Sequence, residues 1–162
     1  MTRLLGGLDR LVAAILSAGS FLLLPVVALL FLQWPLRELF GGLSREANDL
    51  GQWLFALYVA MAFTAATRAG THLAADAVAR GYSDATRAMI ARLGALLCLI
   101  PWALFVLIAG EKLVVPSLLM REAFADTYNP GYFLIKLALW VLAALVLAQA
   151  IIDIARPRRE AD

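Results

Sequence analysis

Charged residues divide the chain into four long apolar runs. No charge falls between Arg10 and Arg37, between Asp49 and Arg68, between Arg92 and Glu111, or between Lys136 and Asp153. An α-helix rises about 1.5 Å per residue, so roughly 20 apolar residues cross a hydrocarbon core about 30 Å thick. The runs predict helical spans at about 11–34, 50–68, 93–111 and 132–153. The last uncharged run is the shortest. Its span begins near Tyr132, because Lys136 can extend its ammonium to the interface. Trp34, Trp53, Tyr58, Trp102, Tyr128, Tyr132 and Trp140 fall mostly near the span ends, as interfacial aromatics do. The first run is too long for the apolar core of a signal peptide and lacks a small-residue cleavage site, so it reads as a retained span.

Shorter patterns predict structure between the spans. Leu36, Leu39, Phe40 and Leu43 recur at helical spacing among charges, which predicts a short interfacial helix over 35–49. Ser83 or Asp84 suits the N-cap of a helix leading through Ala85, Met89 and Leu93 into the third span. Pro116 and the Asn129-Pro130-Gly131 cluster punctuate the loop between the third and fourth spans. Pro25 and Pro101 lie inside spans, where kinks are tolerated. The expected architecture is one all-α membrane domain over residues 1–162, with four transmembrane helices and short interfacial helices.

Composition agrees with the pattern. Of 162 residues, 63% are hydrophobic and 16% charged. A soluble domain carries about 25% charge, so this chain has too few polar groups to cover a soluble surface. Disorder needs the opposite composition. The net charge of +2 comes with no long Lys/Arg run, which excludes a nucleic-acid partner. The distribution of basic residues is more informative. Arg3, Arg10, Arg68, Arg80, Arg87, Arg92, Arg156, Arg158 and Arg159 fall on one side of the spans. Arg37, Arg45, Lys112, Arg121 and Lys136 fall on the other. The richer side is expected in the cytoplasm, with both termini there.

Candidate chemistry is sparse. The polar residues within the spans are neutral: Ser17, Ser20, Gln33, Gln52, Thr64 and Gln149. An ion or proton pathway usually carries an ionisable group at depth, and none is expected here. One histidine, His72, excludes bis-histidine haem within one chain and the usual zinc sites. Cys98, the single cysteine, sits in an apolar run and reads as a small buried residue. No nucleophile elbow or phosphate loop is present. No catalytic residue, cofactor site or metal site is expected.

One polar cluster stands out. Arg68, His72, Asp76 and Arg80 recur every four residues after the second span, with Gly70 between the first two. On a helix they form one drifting stripe, in which Asp76 can pair with its neighbours. A solvated interfacial helix accounts for this pattern, as does a docking edge for another membrane subunit. Glu46 and Asp49 precede the second span, where an acid suits a helix N-terminus.

The run Arg68-x-Gly70-x-His72-x-x-x-Asp76 after the second of four spans resembles the small membrane subunit of tripartite ATP-independent periplasmic (TRAP) transporters, the DctQ/SiaQ type. Glu46 before the second span and Pro130 before the fourth fit the same family, while Ala75 stands where Val or Ile is usual. The resemblance implies a three-part importer in the bacterial inner membrane. A periplasmic binding protein captures an organic acid, and a large membrane subunit carries it with sodium. The small subunit packs against the large one and holds it in place. That role favours the docking edge for Arg68, Gly70, His72, Asp76 and Arg80, with Glu46 in the approach to the second span. The alanines Ala56, Ala60, Ala62 and Ala66 would permit close helix packing. Two rival functions remain at this level: a self-contained homo-oligomeric transporter or channel, and a membrane anchor for a redox enzyme.

Overall fold

The computed structural model describes residues 2–40, 45–69 and 81–155. Six α-helices account for most of them. They are α1 (Thr2–Ser20), α2 (Leu23–Phe40), α3 (Arg45–Ala69), α4 (Asp84–Gly94), α5 (Ile100–Leu119) and α6 (Tyr132–Ala155). A π-helical turn, Ala95–Leu99, joins α4 to α5. Four helical stretches are long and apolar enough to cross a membrane: Arg3–Pro35, Arg45–Ala69, Ala85–Leu119 and Tyr132–Ala155. The all-α, four-span architecture expected from the sequence is therefore present.

The first stretch is broken but not ended at Phe21 and Leu22. Their N–H groups donate to Ala18 and Gly19 carbonyls three residues back, at 3.2 and 3.0 Å, before Val26 resumes the α pattern to Leu22. Pro25 explains the break. It has no N–H to offer, and its ring crowds the carbonyl four residues earlier, that of Phe21. Pro101 disturbs the third stretch differently. The Ile100 N–H reaches five residues back to Ala95, widening one turn just before the proline.

Two sequence expectations change in form. The helix expected over 35–49 is met in two pieces, because residues 35–40 continue α2 and Arg45–Asp49 open α3. Residues 41–44 lie outside the described residues. Pro116 is inside α5 and not in the loop, since the apolar pattern resumes beyond Glu111 and Lys112 and carries the helix to Leu119. Ser83 is the N-cap of α4, accepting from the Thr86 N–H at 3.2 Å.

The helix α6 is central. It packs against α3 on one side and α5 on the other, and α1 reaches both α3 and α6. The core is the cluster of Val12 and Leu16 from α1 with Leu145 and Ile152 from α6. Met61 and Ala65 of α3 close it. At Gly19 the α1 backbone comes so near Met61 that a Cβ there would lie 2.8 Å from the Met61 Cβ.

Candidate functional site

Polar side chains gather at the two ends of the bundle. At the end where α1 begins and α6 finishes, Arg68 closes α3. One of its guanidinium nitrogens lies 2.7 Å from Asp9 of α1, and another donates to Gln149 Oε1 of α6 at 3.3 Å. Gln149 in turn donates to Asp153 at 2.9 Å. Gln149 is only 2% exposed, so its amide is satisfied entirely within this chain. One arginine thus ties three helices, using the planar fork that suits several acceptors at once. Beside it, Ala13, Leu16, Ala65 and Ala69 line an open groove of about 510 Å³ between α1 and α3, with Arg68 at its edge.

The opposite end is built around the loop between α5 and α6. Asp49, buried near the start of α3, accepts from Thr127 at 2.5 Å and from the Asn129 amide at 3.1 Å. The loop folds back on itself, with the Phe124 N–H bonded to the Asn129 carbonyl at 2.9 Å. Gly131 has φ +135° and lies against Trp53, a position that a side chain cannot take without strain. Glu122 bonds Lys136 of α6 and accepts from Ser117 at 2.5 Å. The Lys136 and Ser117 hydrogen bonds, opposed by partial burial, hold the Glu122 carboxyl below its ordinary pKa. Burial of Phe124 against Tyr132, edge to face at 5.5 Å, seals the loop onto α6.

Of the docking residues expected from the sequence, the structure describes Glu46 and Arg68. Glu46 is exposed in the first turn of α3. Arg68 points into the bundle, toward Asp9 and Gln149. Gly70, His72, Asp76 and Arg80 lie outside the described residues. Among the alanines, Ala60 is buried within the chain's own packing, and Ala56, Ala62 and Ala66 are half-buried. The sequence reading missed Asp9 and the Asp49–Thr127–Asn129 cluster. The available signal was an acid, Asp9, before the first span and a base, Arg68, after the second, which consecutive antiparallel spans bring to the same end. Cys98 corrects an expectation. It is exposed and not buried, because the π turn carries it on the face of the third stretch that meets the surroundings.

The arrangement binds helices to helices. Among the described residues no buried side-chain nitrogen or oxygen lacks a hydrogen-bond partner, and no group of His, Cys, Asp and Glu could hold a metal ion. Compared with known proteins, residues 26–160 match the family described as tripartite ATP-independent periplasmic transporters, DctQ component. No curated protein and no solved structure matches the chain.

Proposed function

The chain belongs to the DctQ component family of tripartite ATP-independent periplasmic transporters, and from that premise we propose that it is the scaffold of a sodium-coupled organic-acid importer. It is a multi-pass protein of the bacterial inner membrane. Its partners in this reading are a large membrane subunit that carries the substrate and a periplasmic binding protein that delivers it. The observation that supports a scaffold is the use made of the buried polar groups. Arg68, Gln149 and Asp49 are each spent on contacts between segments of this chain, and none is left to receive a solute. A carrier needs polar groups converging on a cavity at depth.

In this reading both termini are cytoplasmic, and the edge that meets the large subunit runs through Arg68, Gly70, His72, Asp76 and Arg80, with Glu46 at the far end of α3. Arg68 roots that edge, since Asp9 and Gln149 hold it in place.

The experiment is co-expression with the large membrane subunit of its transporter, followed by affinity purification and uptake measurement in cells. The chain is expected to co-purify with the large subunit, and uptake to stop when it is deleted. Asp76→Ala should lower recovery of the complex while insertion is unchanged. Solute flux through liposomes holding this chain alone would overturn the scaffold in favour of a self-contained transporter.

A further inference from the structure

The two charges of α5 are unaccounted for by the bundle. Glu111 and Lys112 are exposed on α5 among large apolar side chains: Phe105, Ile108 and Leu113 are each about two-thirds exposed. Ile108 lies one helical turn from both charges, so they share one face with it. Among the described residues neither charge has an ion-pair or hydrogen-bond partner.

Their depth can be read from the packing. Asp49 and Arg68 mark the two polar ends of α3 and stand about 28 Å apart at 1.5 Å per residue, close to the thickness of a hydrocarbon core. On α5, the residues just before the charges lie against Trp140. Its indole N–H donates to the Leu107 carbonyl at 2.9 Å, and a Cβ at Gly110 would sit 3.4 Å from its ring. Trp140 lies two turns inside α6, which begins at Tyr132. Glu111 and Lys112 lie eight and seven residues before the end of α5 at Leu119, about 12 and 10 Å along the helix, on the apolar side of the loop. Lys136 starts four residues, about 6 Å, into α6 and is satisfied by Glu122, which the loop presents to it. The loop gives Glu111 and Lys112 no such partner.

We propose that the Glu111–Lys112 face of α5, with Phe105 and Ile108, is covered by the large membrane subunit of the transporter, which presents a cationic or donor group to Glu111 and an acceptor to Lys112. This rests on the scaffold reading above. An ionised carboxylate facing lipid at this depth is costly, and side chains on α5 tilt toward its N-terminus, away from the nearer interface. A protein partner removes the cost by pairing both charges in a low-dielectric contact, where pairing is strong and specific. The flanking apolar side chains supply the packing that holds helices together in lipid.

The test uses the full chain with Cys98→Ser, co-expressed with the large subunit. A photo-cross-linking residue replaces Ile108, and in a separate variant Phe31, an exposed residue of α2. Cross-links to the large subunit are expected from position 108 and not from 31. Glu111→Gln and Lys112→Leu, each alone, should lower recovery of the complex about tenfold or more, because each leaves the partner's charge unpaired. Both changes make α5 more apolar, so they favour insertion, and lost recovery is not failed insertion. A complex of the position-108 variant that forms but gives no cross-link, or a complex that the charge variants leave intact, overturns this inference alone. A cross-link from 108 to a second copy of this chain also overturns it. If the wild-type chain recovers no large subunit, the scaffold reading fails and takes the inference with it.

Discussion

At the scale of single residues, two positions are decided by space and backbone angle. At Gly19 the α1 backbone lies close against Met61 of α3. A methyl group there would meet Met61 at Sδ, Cβ and Cγ, all within 3.0 Å, so turning the end of a flexible side chain does not relieve the clash. Gly19→Ala is expected to destabilise the bundle by about 1–3 kcal/mol, the usual cost of overpacking. Thermal unfolding in detergent measures it, and Met61→Ala in the same chain should restore part of the loss. Arg121 works in the opposite direction. It has φ 47°, with its N–H bonded to Leu118 and the Glu122 N–H bonded to Ser117. Those two bonds make a Schellman cap on α5, in which the left-handed position is usually glycine. An L-residue there costs about 1–2 kcal/mol. Arg121→Gly should therefore raise the unfolding temperature, by an amount worth about 1 kcal/mol, and a fall would show that the arginine side chain makes contacts that matter more.

At the scale of elements, the loop between α5 and α6 is held by charge as well as by packing. Glu122 joins Ser117 of α5 to Lys136 of α6, and these contacts keep its pKa below the ordinary carboxylate value. A carboxyl whose folded pKa is depressed adds stability that is present above its unfolded pKa. That stability is lost as the pH falls from there through the folded pKa. The unfolding temperature is expected to be insensitive to Glu122 ionisation near neutral pH and to decline below about pH 4.3, the unfolded glutamate value. Glu122→Gln should lower the neutral-pH value and flatten that decline, and parallel pH profiles for the two proteins would rule the role out. Much at this scale is legible in the sequence. The four spanning helices follow from runs between charges. The disturbances at Pro25 and Pro101 follow from a missing N–H, and the α4 start follows from Ser83. What is not legible is pairing across the bundle. Arg68 resembles one member of a local stripe until Asp9 and Gln149 are seen beside it, because spacing describes neighbours on one helix and says nothing of another. Pro116 reads as a loop residue for a related reason. A proline and two charges close together look like an ending, yet helix packing against α6 carries α5 past them.

At the scale of the whole molecule, the ends of the bundle differ in charge, and that difference carries an expected orientation. Asp9, Arg68 and Asp153 meet at one end, which places the start of α1 and the end of α6 on the same side. Arg3 and Arg10 in α1 and Arg87 and Arg92 in α4 lie toward that end, and the sequence carries Arg80 before α4 and Arg156, Arg158 and Arg159 after α6. At the other end, Lys136 is tied to Glu122 and Lys112 lies within α5, which leaves the sequence Arg37, Arg45 and Arg121 as its remaining basic residues. Short basic segments are retained in the cytoplasm during insertion, so the termini are expected there and the loop between α5 and α6 outside. Cysteine labelling in intact cells tests this with Cys98→Ser as background. Asp126→Cys, on the exposed loop, should react with a membrane-impermeant maleimide from outside. Tyr82→Cys, just before α4, should react only after the cells are permeabilised. The reverse pattern would invert the molecule and set the basic end against the periplasm. The Arg68 edge would then face the binding protein's side of the membrane, and a cytoplasmic docking edge would be excluded.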